Sequence, residues 1–176
     1  QRDQFIPFLK IIKEYCNEIN LSIDHDYRLD KGSSERFLAP LNSTNNFKAN
    51  KFLREISKNK KITEKIINIK GRNFLIENFY DGIIQLDFKD LCDKNIGAED
   101  YIEIANICSF LIIENMPSFN ENNSNQQQRF ITLIDILYEK NIPLLITSEK
   151  NLDEINTAFS LKAPFKRTVS RIRREL

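Results

Sequence analysis

The chain predicts an α/β fold, and three observations carry that prediction. Two unbroken apolar runs, FLIIE at 110–114 and PLLIT at 143–147, read as strands buried on both faces. Between them, residues 127–139 place apolar side chains on most sides of a helix, which predicts a helix sandwiched by its neighbours. Upstream the period changes to two. Ile67 and Ile69 alternate with polar residues, and Lys70-Gly71-Arg72-Asn73 and Asp81-Gly82 supply turn chemistry. A small antiparallel β-meander with strands near 67–69, 73–76 and 83–87 follows from this. Strand 110–114, helix 127–139 and strand 143–147 make a βαβ unit, a crossover joining parallel strands.

The remaining elements follow the same rules. Phe5, Phe8, Leu9 and Ile12, extended by Tyr15 and Cys16, recur at helical spacing and predict a helix over 4–18, with Pro7 tolerated in its first turn. INLSI at 19–23 reads as a short strand, and DHDYRLDKGSSE as a polar connector; 29–43 is the best candidate for a boundary. A helix over 44–60 turns Phe47, Phe52, Leu53 and Ile56 inward and many lysines outward. A short helix at 88–93 precedes one at 98–107, where Asp100 or a neighbouring polar group favours the N-terminus. SFNENNSNQQQ is expected to be a mobile loop, and 152–159 a short helix. The end of the chain places Phe165, Val169, Ile172 and Leu176 on one helix face and Arg167, Arg171 and Arg174 on another.

Bulk properties narrow the function. At 176 residues one domain is the default, and 41% hydrophobic content with 13 Phe suffices for a core. A net charge of +1 creates no global field toward nucleic acid or membrane. Three scattered cysteines (Cys16, Cys92, Cys108) and the single His25 make neither a disulfide framework nor a zinc site, and suit a reducing compartment. No apolar run approaches the roughly 18 residues of a membrane span, and no signal or transit peptide is visible at the start. The chain opens on Gln1 inside a helical pattern, and its one methionine is Met116, so it reads as a piece of a longer protein.

Catalytic motifs are sparse. A phosphate cradle needs converging backbone N–H groups, a lysine and a hydroxyl for the metal. The four glycines, at 32, 71, 82 and 97, fall in no GxxxxGK[ST] arrangement. Glu114 ends one apolar strand and Thr147-Ser148 end the next, imitating a Walker B strand followed by a sensor strand. Glu114-Asn115 offers only one acid where that chemistry needs two, so an ordinary βαβ core is the better reading. Arg129 and Asp135 on the apolar helix predict a structural ion pair. Asp26-Tyr27-Arg28 and Asp100-Tyr101 read as residues of a domain joint, and His25 has no ligand partners nearby. The terminal arginines lack interleaved aromatics, which ranks nucleic-acid binding last.

Several stretches match one family, block by block. QRDQFIPFLKIIKEYC resembles its GLQRxxFxPFIxxLKxxC segment, INLSIDHDYRL its strand ending in DYR, and KGRNF its GR-hairpin. DLCDKNIGAEDYIEI is similar to LCxxPLGAxDYxxL, with Asn95-Ile96 for Pro-Leu, and RFITLIDILYEKNIPLLITSE to RFIxLIDxxYDxxVxLxxSA. KRTVSRIRREL is similar to RTxSRLxEM, with Arg173-Arg174 departing from it. The family is the AFG-one-like ATPases, the ZapE-type bacterial cell-division ATPases and their mitochondrial relatives. The collinear blocks cover nearly the whole chain, which resembles the C-terminal half of such a protein.

The resemblance implies a fold with partial P-loop (AAA+-like) core elements in residues 1–30 and a C-terminal α/β accessory domain in 31–176. It implies ATP hydrolysis with Mg²⁺ in the full-length protein, coupled to handling of protein partners. The P-loop half would precede this chain, so the segment alone would bind no cofactor and be inactive. Arg2 would be an arginine finger reaching a neighbour's nucleotide, and Arg167 and Arg171 sensor-two-like residues. The implied partners are the missing P-loop half, further copies in a homo-oligomer, and division-ring proteins or quality-control clients, with no nucleic acid. The implied location is the bacterial cytoplasm or the mitochondrial matrix. The alternative function is a non-catalytic protein-binding adaptor derived from the same family.

Overall fold

Both faces of one parallel strand are buried, and the fold is arranged around that strand. The computed structural model describes residues 36–175, with the side chains of Arg174 and Glu175 left aside. The expected helix 4–18, strand 19–23, Arg2, Cys16, His25 and the Asp26-Tyr27-Arg28 triplet lie outside the described residues. Strand β5 (Phe110–Met116) sends Leu111 and Ile113 into one apolar cluster and Ile112 into a second. Alternate side chains of a strand point to opposite faces, so a continuous apolar run is what two covered faces require.

The described residues form one mixed sheet of six strands in the order β1-β6-β5-β4-β3-β2. β1 (Phe37–Leu38), β6 (Leu144–Ser148), β5 and β4 (Ile83–Asp87) are parallel; β3 (Arg72–Tyr80) and β2 (Thr63–Ile69) continue antiparallel from β4. The βαβ unit is present as expected, its helix α4 (Ser124–Glu139) joining adjacent parallel strands. The meander is present too, but it extends the same sheet because β4 pairs with β5.

Helix α1 (Ser43–Ile56) covers the second apolar cluster, where Phe52 meets Phe110 with ring centroids 5.5 Å apart. The first cluster gathers α2 (Phe88–Cys92), α3 (Ala98–Ile107), α4 and α5 (Lys162–Glu175). At its centre Phe88, Phe119 and Phe130 lie 5.8–5.9 Å apart, and Phe165 of α5 meets Phe119 edge-on at 5.5 Å. Such tilted pairs match the ring quadrupoles and add to the area buried.

Three expectations need correction. Phe47 is 64% exposed, because the covered stripe of α1 runs through Asn45, Ala49 and Leu53. Phe47 stands about 200° around the helix from Asn45 at 3.6 residues per turn. The expected mobile loop SFNENNSNQQQ contains a 3₁₀ turn (Glu121–Asn123) and the first turn of α4. Its polar side chains are caps: Asn120 accepts from the Asn122 N–H at 2.8 Å, and Asn123 donates to the Ser118 carbonyl at 3.1 Å. The expected helix 152–159 does not form; Phe159–Leu161 is a 3₁₀ turn, and the segment before it is turn and irregular chain. There the Asn156 and Ala158 N–H groups donate to the Ser118 hydroxyl (3.1 Å) and the Gln127 side chain (3.0 Å), tertiary bonds that a helix would forfeit.

The β3–β4 turn uses glycine chemistry. Asp81 (φ 47°) and Gly82 (φ 90°) both occupy positive φ. A Cβ on Gly82 would meet Ser109 Oγ at 2.7 Å, while the Gly82 carbonyl accepts the Ser109 N–H at 2.7 Å. Gly82→Ala is expected to cost about 1–2 kcal/mol, read as a lower urea midpoint at unchanged slope.

Candidate functional site

Ligands of open α/β sheets favour the carboxyl ends of the parallel strands. Here those ends are tied together by their own side chains. Asp87, the last residue of β4, caps α2 by accepting the Lys89 N–H at 2.8 Å and also accepts the Asn115 amide at 2.7 Å. The Asn115 N–H donates to Thr147 Oγ1 at 2.9 Å, and Ser148 Oγ donates to the Met116 carbonyl at 3.2 Å. The Glu149 carboxylate accepts the Ser118 N–H at 3.1 Å. Thr147 and Ser148, which imitate a sensor strand in sequence, therefore fasten strand β6 to β5.

Glu114 lies opposite Asp87 in the β4–β5 register. Both line a cleft of about 410 Å³ that opens where β3 diverges from β4, together with Glu77, Asp90 and Lys94. Lys94 is paired with Asp90 at 2.6 Å. Four carboxylates against one committed lysine make this cleft unfavourable for a polyphosphate. Among the described residues no group of three or more His, Cys, Asp or Glu is placed to hold a metal ion.

The predicted arginines converge elsewhere, on the seam between α4 and α5. Both pair with one carboxylate, that of Asp135 on α4. Arg167 reaches Asp135 Oδ2 at 3.3 Å, while Arg171 forms a close ion pair with Oδ1. Arg171 also lies 4.9 Å from the centre of the Tyr138 ring, a cation–π contact. Exposure separates the two: the Arg167 side chain is 60% exposed and that of Arg171 22%. Arg171 therefore packs as a strut, and Arg167 keeps its guanidinium at the surface on a single long bond. The Arg174 side chain lies outside the described side chains.

Sequence comparison now places these elements in a family. The profile of the AFG1-like ATPase family matches residues 1–175. The chain belongs to the AFG1-like ATPase family. This AFG1-like chain is 28% identical over 159 residues to Lactation elevated protein 1 homolog B of Danio rerio, covering 88% of this chain and 32% of that protein. It is 25% identical over 173 residues to the cell division protein ZapE of Escherichia coli K12, covering 98% of this chain and 46% of that protein. An uncharacterized protein of Schizosaccharomyces pombe is 29% identical over 158 residues, covering 88% of this chain and 35% of that protein. The chain thus spans less than half of the length of these relatives, from 32% to 46%. No solved structure gives a significant match.

The remaining polar residues of this AFG1-like chain serve packing, and Asp100 caps its helix as its position in the sequence predicts. Arg129 and Asp135 both serve structure, but with different partners: Arg129 donates to the Cys92 carbonyl at 3.0 Å, and Asp135 serves α5. Asp100 and Tyr101 belong to the packing of α3. Asp100 accepts the Gly97 N–H at 2.8 Å and pairs with Arg72 of β3 at 3.0 Å; buried Tyr101 donates to the Leu91 carbonyl at 2.7 Å. Gln127 is fully buried, accepting from the Ala158 N–H and donating to Thr157. Only its place on the inner side of a helical pattern could have signalled this.

Burial raises the thiol pKa of Cys92 far above the ordinary range, opposed in part by its hydrogen bond with Tyr101, and pushes Cys108 up to about 12. Thiolate is the reactive form, so Cys92 and Cys108 are expected to resist alkylation at pH 8 until denaturant is added, as counted by mass spectrometry. Asp135→Ala leaves Arg171 without its carboxylate at a partly buried site, and is expected to cost about 1–3 kcal/mol in denaturant unfolding.

Proposed function

We propose that this chain is the C-terminal portion of a P-loop ATPase that hydrolyses ATP with Mg²⁺ to act on protein partners. Residues 1–30 complete the ATPase core and 31–176 form the accessory α/β domain. The observation that carries this reading is the family match across residues 1–175. One relative's name, a cell division protein, supports clients at the bacterial division ring, in the cytoplasm. Protein quality control in the mitochondrial matrix is the corresponding role for the other branch. The carboxylate-lined cleft is unsuited to phosphate, so the nucleotide is gripped by the P-loop half and this chain lends it arginines.

Arg2 acts as the finger toward a neighbouring copy's nucleotide in a homo-oligomer. Arg167, exposed and lightly tethered, is the better placed of the two α5 arginines to leave Asp135 for a phosphate oxygen; Arg171 orients the helix that carries it. A guanidinium on the γ-phosphate stabilises the charge that develops there.

In the intact protein, Arg2→Ala is expected to lower ATP turnover at least about a hundredfold. Arg167→Ala should lower it about tenfold with unchanged thermal midpoint. Steady-state hydrolysis and thermal melts of the purified oligomer check both. Turnover unchanged in both variants removes these roles. No turnover in the intact wild-type protein favours the adaptor, a module that keeps the partner surface without the motor.

A further inference from the structure

The ATPase reading leaves the outer side of α1 without a use, and this side has unusual chemistry. Residues 43–66 carry seven cations (Lys48, Lys51, Arg54, Lys58, Lys60, Lys61, Lys65) against Glu55 and Glu64, in a chain whose net charge is only +1. The remainder of the chain is therefore net negative, and a second cationic stretch lies at its far end, where Lys162, Lys166, Arg167, Arg171, Arg173 and Arg174 stand against Glu175. Phe47, Lys51 and Arg54 fall on one side of α1 at helical spacing, and Lys58 follows directly beyond its C-terminal turn. The opposite side of the helix is already buried on the sheet through Ala49 and Leu53.

Among the described residues little neutralises this ridge. Lys51 meets Glu55 at 3.9 Å with both side chains more than 60% exposed, which is worth little in water. Lys60 is committed to Asp81, donating to its carbonyl at 2.9 Å. Among the described residues Lys48, Arg54, Lys58, Lys61 and Lys65 make no ion pair. Three large apolar side chains lie among the cations, Phe47 at 64%, Ile62 at 57% and Ile66 at 61% exposure.

We propose that this ridge docks an acidic protein segment: an amphipathic helix with carboxylates at three- and four-residue spacing and an apolar side chain to meet Phe47. Carboxylates on such a helix recur at the same pitch as Lys51, Arg54 and Lys58. A polyphosphate fits less well. The ridge is convex where a nucleic-acid backbone is usually tracked by a groove, Phe47 is its one exposed aromatic, and Glu55 interrupts the cations. Lysines outnumber arginines, so the ridge attracts as point charges and lacks the bidentate forks that select phosphate. Field complementarity of this kind steers encounter, and the flanking apolar contacts prolong it.

The test uses the intact protein and three fluorescent probes: a Glu-rich amphipathic peptide bearing one Phe, a 20-residue oligo-dT, and vesicles containing phosphatidylserine. The peptide is expected to bind with an affinity that falls as salt rises. The combined variant Lys51→Glu, Arg54→Glu, Lys58→Glu should weaken it at least about tenfold. Phe47→Ala should weaken it severalfold at unchanged salt slope. All four side chains are solvent-exposed, so unchanged melting curves accompany the loss. ATP turnover in the absence of peptide stays at the wild-type rate, which separates this surface from the nucleotide chemistry. Peptide binding that survives the charge reversal overturns the proposal. So does preferential, ridge-dependent binding of oligo-dT or vesicles, or a charge reversal that only dissociates the oligomer, which would make a second copy the occupant.

Discussion

Burial of both faces of the β4–β5–β6 core is the constraint on which the rest depends. Ile84, Leu111, Ile113, Leu144 and Ile146 fill one side, and Ile83, Ile112 and Leu145 the other. Each side chain removed from water contributes roughly 1.5–3 kcal/mol, so neither face can be left open. The helices α2–α5 answer the first demand and α1 the second. Because α1 has one inward stripe, its other side is left to solvent. The same requirement that closes the sheet thus creates the cationic ridge.

Polar groups in this fold act mainly as fasteners. Asp87, Asn115, Thr147 and Ser148 join the strand ends, Gln127 ties α4 to the 157–158 segment, and Asp100 joins α3 to β3 through Arg72. A buried donor or acceptor without a partner is costly, which explains why these side chains meet one another. Asp135 differs in serving two arginines of unequal exposure. One carboxylate fixes the α4–α5 seam through Arg171 while leaving Arg167 at the surface, so packing and any role of Arg167 are coupled through one residue. Membership of an ATPase family makes that coupling worth separating from simple stability.

Much of the fold was legible in the chain. FLIIE and PLLIT announced two-sided burial, Lys70-Gly71 and Asp81-Gly82 announced the turns, and the collinear blocks pointed to the family. Element limits were less legible. The polar run before α4 reads as loop because its Asn side chains act as caps, and caps and loops share a composition. Residues 152–159 read as helix because local spacing carries no record of the Ser118 and Gln127 side chains that bond their backbone.

For the arginines, sequence periodicity supplied the shared helix face of Arg167 and Arg171, and nothing more. Their common partner stands 32 and 36 residues upstream on another helix, a juxtaposition that only packing of α5 against α4 creates. The sequence by itself determined the α/β class, the βαβ unit, the meander and the lack of a phosphate cradle, since these follow from local period and composition. The tertiary structure decided that the meander and the βαβ unit share one sheet, that Thr147 and Ser148 are fasteners, and that Arg167 rather than Arg171 stays exposed. Those outcomes depend on which distant groups meet, and contact between distant residues leaves no mark in the local spacing of either one.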